Sequence, residues 1–207
     1  MSQRETARAA THLEADALTM RALTREADEA AVLRLFLAAP AYTLAVEGRM
    51  PCQDDVDDFF DGMPPGKRAA DKFMLGFELG AETIGCADLI RAHPEPDCAF
   101  LGLLLFDQAR QGHGHGRAAL GLIETLARGW GATRLRLAAV SSHPRAVAFW
   151  QREGFALCSR VSQPRFTGEL LNARSAEGAA PSCAPAAGIA TPAAPPATRH
   201  RFSVGVL

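Results

Sequence analysis

Apolar and polar residues follow each other along this chain in two spacings, and these spacings predict where it forms helices and strands. Four stretches place apolar residues three and four positions apart, which is typical of a helix with one buried side. In the stretch 117–130 the apolar stripe consists of Ala119, Leu122, Ile123 and Leu126. The predicted helices are 25–39, 53–61 (with Val56, Phe59 and Phe60 as its buried side), 117–130 and 144–153.

Six further stretches predict strands. Residues 98–106 form a near-continuous apolar run, which is typical of a central strand that is covered on both faces. In residues 72–79, apolar side chains recur at alternate positions, which is typical of a strand. The turn Gly80-Ala81-Glu82 joins this strand to the next stretch in a predicted hairpin. The predicted strands are 19–24, 72–79, 83–91, 98–106, 134–140 and 155–161, whereas 42–48 is predicted to be irregular.

One folded domain with two extensions accounts for the length of 207 residues. The elements run strand, two helices, three strands, and then helix and strand in turn, which predicts a mixed α/β fold without regular βαβ winding. Residues 1–18 are predicted to be a flexible arm and 19–171 the domain. Residues 172–207 are rich in Ala and Pro and are predicted to be largely disordered. Within them, residues 201–207 either add an edge strand or stay disordered.

Composition argues against several classes of function. The formal net charge is −1 and no run of Lys and Arg occurs, so we expect no binding to nucleic acid or to a membrane surface. The five cysteines are odd in number and lack C-x-x-C spacing, which argues against a disulfide framework or a zinc site. No stretch has the pattern of a secretory signal or of a membrane span. We therefore expect a cytoplasmic protein without a bound metal.

A glycine-rich segment, Gln-Gly-His-Gly-His-Gly at residues 111–116, separates the apolar strand 98–106 from the helix predicted to follow it. The first N–H groups of a helix have no partner within the helix, and the helix dipole adds partial positive charge there. Glycines let an anion approach the main chain and permit positive φ angles. The segment is therefore a candidate phosphate site, and Arg110 and Arg117 flank it.

Other interpretations of this segment are less well supported. A P-loop requires Gly-Lys followed by Ser or Thr, whereas Gly116 is followed by Arg-Ala. A dinucleotide fingerprint is matched at Gly114 and Gly116, but no acidic residue ends the following strand, 134–140. A metal pair formed by His113 and His115 lacks an evident third ligand.

The segment also fits the pattern [RQ]-x-x-G-x-[GA], with Gln111, Gly114 and Gly116 at the fixed positions. A second element follows at residues 143–155, His-Pro-Arg-Ala-Val-Ala-Phe-Trp-Gln-Arg-Glu-Gly-Phe, which is similar to N-P-x-A-x-x-F-Y-x-x-x-G-F. With both elements in this order, the chain resembles the GNAT superfamily of acyl-CoA-dependent N-acyltransferases over residues 19–171.

The resemblance implies a fold and a reaction. The fold is α/β (α+β), with a mixed, mostly antiparallel sheet of six to seven strands, helices on both faces, and a central pair, 100–106 and 134–140, that splays apart. The reaction is transfer of an acetyl group from acetyl-CoA to a primary amine of a small molecule or protein, and the sequence does not identify that acceptor. A free edge strand would admit a homodimer. The alternative function is a catalytically inactive acyl-CoA-binding sensor or interaction module on the same fold.

The resemblance also implies which residues contact acetyl-CoA. Main-chain groups at the end of the central strand would hold the acyl-pantetheine, the glycine-rich segment would bind the pyrophosphate, and two residues of the second element would contact the cofactor. In this order they are Leu104, Leu105 and Phe106; Gln111, Gly112, His113, Gly114, His115, Gly116 and Arg117; and His143 and Trp150.

Two positions depart from the family's pattern, and they leave the catalytic residues open. His143 stands where Asn is usual, and Trp150 stands where a Tyr that protonates the leaving thiolate is frequent. An indole N–H is a donor but no practical acid, so Tyr42 is the candidate substitute. Asp88 and Glu78 are the candidate bases. For Asp88, burial in an apolar strand would raise the pKa of its carboxyl toward a useful range. The alternative is that Asp88 pairs with Arg91 or caps a loop.

Overall fold

Five α-helices form in the computed structural model, which describes residues 17–162 and 167–173, with side chains described up to residue 160. Four of them confirm the predicted helices to within two residues at each end. The helices are α1 (Arg25–Ala38), α2 (Ala41–Glu47), α3 (Gln53–Asp61), α4 (His115–Gly129) and α5 (Pro144–Arg152).

The prediction of irregular structure at 42–48 is wrong, because α2 forms there. Pro40 and Gly48 lie at its two ends, and Gly48 adopts a left-handed φ of 67° that ends the helix. Seven residues span only two turns, so the apolar spacing of a helix cannot be recognised in them. The helix is stabilised by contacts of its buried residues, Tyr42, Thr43 and Val46.

Seven strands form one sheet, in the order β1-β2-β3-β4-β5-β7-β6. All neighbours are antiparallel except β4 and β5, which confirms the predicted mixed, mostly antiparallel sheet. The strands are β1 (Thr19–Ala22), β2 (Lys72–Leu79), β3 (Glu82–Arg91), β4 (Cys98–Phe106), β5 (Arg134–Val140), β6 (Phe155–Ser162) and β7 (Thr167–Ala173).

Strand β7 was not predicted, and it inserts between β5 and β6. Its sequence, Thr-Gly-Glu-Leu-Leu-Asn-Ala, lacks the regular alternation that identifies a strand with one buried face. The predictions for residues 1–16 and 174–207, including the possible edge strand at 201–207, lie outside the described residues.

Strands β4 and β5 splay apart, as the resemblance implied. They pair over only four positions, from Cys98 opposite Arg134 to Leu101 opposite Leu137. Beyond Leu101, β4 continues to pair with β3 and β5 continues to pair with β7. A gap therefore opens between the two strands at their carboxyl ends, while both keep a partner on the other side.

Helices cover both faces of the sheet. Alternate side chains of β4 point in opposite directions and pack into a core on each face. Leu104 and Phe106 belong to the core that α4 covers, whereas Leu103 and Leu105 belong to the core under α1, α2 and α3. The predicted buried side of α3 is confirmed. The main helical residues of the two cores are Ala119, Leu120 and Ile123 on the first face and Val32, Leu35, Phe36, Val56 and Phe59 on the second.

Among the described residues, no single helix is long and apolar enough to cross a membrane. Helices α1 and α2 reach that length only as a pair, and they are bent by 79° at the break between them.

An ion pair between Arg21 and Asp28 fixes the start of α1 against the edge of the sheet. Asp28 is buried, and its two carboxylate oxygens accept hydrogen bonds from Arg21 Nη1 and Nη2 at 3.1 and 2.7 Å. One of these oxygens also accepts from the main-chain N–H of Thr24, the N-cap of the helix. These hydrogen bonds, first those from Arg21, lower the pKa of the Asp28 carboxyl below its ordinary value.

We expect Asp28→Asn to lower the free energy of unfolding by about 1–3 kcal/mol at neutral pH, because hydrogen bonds to a charged group contribute on that scale. Since the folded-state pKa is depressed, this contribution is complete above the ordinary aspartate pKa and is lost as the pH falls through the folded value. Urea titrations at several pH values measure both effects. Glu124→Gln is the control, because it removes an exposed pair with Arg128 that contributes about 0.5 kcal/mol or less. Equal losses in the two variants would contradict the prediction.

Candidate functional site

The edge of β4 that faces the gap consists of main-chain groups. The N–H of Asp107 donates to the carbonyl oxygen of Ile84 on β3, which fixes the direction of the peptide groups at the end of β4. Because these directions alternate along a strand, Leu104 and Phe106 point their N–H and C=O groups toward β5, and Leu105 points its own toward β3. One side of the gap is therefore lined by main-chain hydrogen-bonding groups of β4 that do not pair with β5.

Gln111 ties the glycine-rich segment to this edge. Its side-chain Nε2 donates to the carbonyl oxygen of Phe106 at 3.0 Å, which occupies one of the gap-facing groups. Gly112 and Gly114 have φ angles of 81° and 86°, a left-handed conformation that costs other residues about 1–2 kcal/mol. The two glycines turn the chain sharply from the end of β4 into α4.

Helix α4 begins at His115, two residues earlier than predicted, with Gly114 as its N-cap and no side chain capping it. The first hydrogen bond into this turn is from the N–H of Ala118 to the carbonyl oxygen of Gly114, at 3.1 Å. In the described part of the chain, the N–H groups of His115, Gly116 and Arg117 accordingly have no partner. Three free amides at the positive end of a helix dipole form a site for an anion.

Two histidines of the segment stack side by side, with ring centroids 6.1 Å apart. Nδ1 of the exposed His113 lies 3.0 Å from the carbonyl oxygen of Gln111, so His113 stabilises the turn. His115 is half-buried and stacks on Phe106 at 6.3 Å. Burial lowers the pKa of the His115 imidazole, and the nearby His113 and Arg110 lower it further. The His115 ring thus lies beside the last residue of β4, at the start of α4.

Each arginine that flanks the segment has a carboxylate partner. Arg110 pairs with Glu82 at 2.7 Å, and Arg117, whose side chain is 81% exposed, lies 3.5 Å from Glu153. Exposed pairs of this kind contribute about 1 kcal/mol or less, so an incoming polyanion competes with them at small cost.

His143 is the N-cap of α5. Its Nδ1 accepts from the N–H of Ala146 at 3.2 Å, and Pro144 occupies the first turn. An accepting Nδ1 requires the tautomer with the proton on Nε2, so the side chain still has one donor to offer. Burial lowers the pKa of the imidazole, which favours this neutral form.

Trp150 is fully buried in the core that also contains Leu104 and Phe106. Its ring packs against Phe149 and Phe155, with centroids 4.8 and 5.1 Å away. The indole Nε1 is buried and has no hydrogen-bond partner among the described residues. An unpaired buried donor costs about 1–3 kcal/mol of stability. Packing of the ring alone therefore does not explain why an indole N–H is buried at this position.

Asp88 lies on the other face of the sheet and has neither of the partners that the sequence suggested. Arg91 pairs instead with Asp71, at 3.4 Å. The Asp88 carboxylate pairs with Lys72, whose Nζ lies 3.1 Å from Oδ2. Burial raises the pKa of the Asp88 carboxyl, and the ammonium of Lys72 opposes that rise. Sequence reasoning missed Lys72, because the pairing depends on the register of β2 on β3.

Tyr42 belongs to the core on the same face as Asp88. It is 8% exposed and lies on α2, in the cluster that includes Val46, Val56 and Leu103. The structure therefore brings together the glycine-rich segment, the end of β4 and α5 around the gap, and it separates Tyr42 and Trp150 on opposite faces of the sheet.

Comparisons with known proteins find a matching family and solved structures with a similar fold. A model of the acetyltransferase (GNAT) family matches residues 20–155. Similar solved structures include an acetyltransferase from Thermus thermophilus, with 29% identity, coverage of 76% of this chain and 96% of that one, and a TM-score of 0.61. The ribosomal-protein-S18-alanine N-acetyltransferase from Escherichia coli follows with 16% identity, coverage of 79% and 99%, and a TM-score of 0.57. A putative acetyltransferase from Salmonella typhimurium, solved with its cofactor acetyl-CoA, has 19% identity, coverage of 80% and 98%, and a TM-score of 0.58. A comparison with curated protein sequences finds no match.

We expect His143→Ala to lower the free energy of unfolding by about 0.5–2 kcal/mol, because it removes the N-cap of α5. His143→Asn, which keeps a capping acceptor, is expected to retain most of that stability. Since the folded-state pKa of His143 is depressed, the cap contributes fully above the ordinary histidine pKa and is lost as the pH falls through the folded value. Denaturant titrations from mildly acidic to mildly alkaline pH test this, and an Asn variant as unstable as the Ala variant would refute it.

Proposed function

Because the chain belongs to the GNAT family of acetyltransferases, we propose that it transfers the acetyl group of acetyl-CoA to a primary amine of a small molecule or protein. One observation supports this most directly: the free amides at the start of α4 lie next to the open end of the gap between β4 and β5. A diphosphate fits such amides, and an extended amide chain fits such a gap. The Salmonella protein, which has the same fold, was solved with acetyl-CoA.

In this proposal the amides of His115, Gly116 and Arg117 bind the pyrophosphate. The absence of side chains at Gly112 and Gly114 leaves open space, since a Cβ built on either residue meets no atom within 4 Å. The side chain of Arg117 exchanges Glu153 for a phosphate oxygen, and His113 keeps the turn in its present shape. The fit to an anion thus depends mainly on the main chain, to which glycines give access.

The pantetheine arm would take the place that β5 leaves. Main-chain groups of Leu104 and Phe106 bind its amides as a neighbouring strand would, whereas Leu105 keeps β4 attached to β3. Gln111 holds the segment at the mouth of the gap, and the Nε2–H of His143 contributes a donor from the opposite side.

The transfer step needs an acceptor for the amine proton and a donor for the departing sulfur. The amine nitrogen attacks the thioester carbon, an N–C bond forms, the C–S bond breaks, and the sulfur leaves with its electron pair. We propose that the carboxylate of Asp88 accepts the amine proton. We also propose that Nε1–H of Trp150 donates a hydrogen bond to the departing sulfur. The main-chain N–H of Leu104 stabilises the developing oxyanion. Because a thiol has a pKa of about 8.5, its thiolate can leave without an acid, and Tyr42 is the remaining candidate if one is required.

Compartment and assembly form a lesser part of the proposal. Cys86 and Cys98 are buried free thiols, and Cys52 is also unbridged, which suits a reducing compartment such as the cytoplasm. Strand β6 ends the sheet and exposes Leu157, so a homodimer would form along this edge.

Release of thiol from acetyl-CoA with a panel of amines tests the activity, and calorimetry with CoA tests the site. We expect Gly114→Glu to weaken CoA binding about 100-fold or more, because it places a carboxylate among the amides and removes about two charge-assisted hydrogen bonds. Gly121→Glu is the matched control, since it adds the same charge at an exposed, unobstructed position further along α4.

Equal CoA affinity in the two variants would refute the anion site. Binding of CoA by the wild-type protein without turnover on any amine would support the alternative, an inactive acyl-CoA-binding module.

Fluorescence tests the proposed contact of Trp150 with the cofactor. The chain has two tryptophans, so Trp130→Phe leaves Trp150 as the sole emitter. We expect CoA to shift the emission of this variant, because the buried indole N–H gains a partner. Trp150→Phe, in which only Trp130 emits, is expected to show no such shift. An unchanged spectrum of the Trp130→Phe variant at saturating CoA would contradict the contact.

A further inference from the structure

A buried ion pair lies beneath α3 on the face opposite α4. The side chains of Lys72 and Asp88 are 2% and 6% exposed, and Lys72 Nζ lies 3.1 Å from Asp88 Oδ2. The pair joins β2 to β3, two strands that already pair from Lys72 to Leu79, so it adds no new connection within the sheet. A buried ion pair also costs desolvation that its attraction roughly repays. The stability of the sheet therefore does not explain why the pair is present.

The pair lies where the gap begins. The register of β3 on β4 shifts between Asp88 and Leu89, and Gly102 is the residue of β4 left without a partner. Pairing of β4 with β5 ends one residue earlier, at Leu101. A Cβ built on Gly102 would lie 3.2 Å from Asp88 Oδ2 and 3.3 Å from its Cγ. The carboxylate thus packs against the main chain of the first residue at which the gap is open.

Lys72 has a full set of partners, and Asp88 does not. Besides Asp88, the ammonium of Lys72 donates to the carbonyl oxygen of Gly62 and, at 3.5 Å, to that of Asp58, both at the end of α3. The ammonium therefore has three acceptors and lies at the negative end of the α3 dipole. Asp88 Oδ1, in contrast, is buried and has no partner among the described residues. One oxygen of the Asp88 carboxylate is therefore an unused acceptor.

We propose that Lys72 is a positioning residue for the acyl transfer: it holds the Asp88 carboxylate against Gly102, with Oδ1 directed to accept the proton of the attacking amine. This inference rests on the proposed function. The N–C bond forms as the amine proton passes to Oδ1, and the C–S bond breaks as the electron pair leaves with sulfur. The Asp88 carboxyl then returns its proton to solvent.

The charges around Asp88 support this division of roles. Lys72 on β2 is the cation that lowers the pKa of the Asp88 carboxyl against the effect of burial. Cys86, on the same strand, is a neutral thiol, because burial and Asp88 raise its pKa far above neutrality. From α3, the groups that reach the pair are the main-chain carbonyls of Asp58 and Gly62, and β4 presents Gly102. Removal of the Lys72 charge should therefore raise the pKa of the Asp88 carboxyl further.

Three variants separate this role from a structural one: Lys72→Met, Asp88→Asn and the double variant. Each single change leaves a buried polar group unmatched, so each should lower the melting temperature, and the double variant should regain most of it. Activity should not recover together with the melting temperature in the double variant. Asp88→Asn and the double variant should both lose about 100-fold or more in kcat, the scale of a general base, with unchanged CoA affinity. In Lys72→Met, the acid limb of the kcat/KM profile should move to higher pH.

Recovery of kcat together with stability in the double variant would overturn the proposal, because the pair would then be structural. An unmoved acid limb in Lys72→Met would overturn it as well, and if that variant does not fold, the double variant still decides. Asp97→Asn is the control: it breaks the pair with Arg134 at the far end of β5 and should lower stability without moving the limb. Wild-type protein that binds CoA but acetylates no amine would instead refute the proposed function, and this inference with it.

Discussion

The parting of β4 and β5 after four residue pairs is the constraint on which the site depends. A gap inside a sheet normally exposes unpaired peptide groups on both sides and weakens the sheet. Here each strand keeps its other partner, β3 for β4 and β7 for β5, so the two edges of the gap stay fixed. The helix that follows β4 then starts beside the opening with its amides free. An anion site and an extended slot thereby become neighbours through chain connectivity alone.

Both faces of the sheet take part in this arrangement, and β4 links them. Phe106 directs its side chain to the core under α4 and stacks near His115, while its carbonyl oxygen faces the gap and binds Gln111. On the opposite face, Gly102 has no side chain, and the carboxylate of Asp88 fills the space. The anion site and the buried carboxylate are thus placed toward the two ends of one short stretch of strand, on opposite sides of the sheet.

Features set by local chemistry could be predicted from the sequence. The apolar run at Cys98–Phe106, the buried side of α3 and the glycine-rich turn each depend on neighbouring residues, and the structure contains all three. Helix α2 was not predictable because seven residues are too few to show a period. Strand β7 was missed because its side chains do not alternate, and its place is fixed by pairing with β5 and β6 on either side. The partner of Asp88 was also predicted wrongly, because Lys72 is distant from Asp88 in sequence. The two residues become neighbours only through the register of β2 on β3.

The gap-facing edge of β4 has one more consequence, which concerns how such a site changes over time. Its hydrogen-bonding groups are peptide N–H and C=O groups, which every residue except proline supplies equally. Leu104 and Phe106 could therefore be exchanged for other apolar residues that fill the core without altering the edge itself. Core residues can therefore be substituted while the main-chain edge of the gap stays the same. A protein of this architecture can lose nearly all sequence identity with a relative and still present the same edge to a ligand.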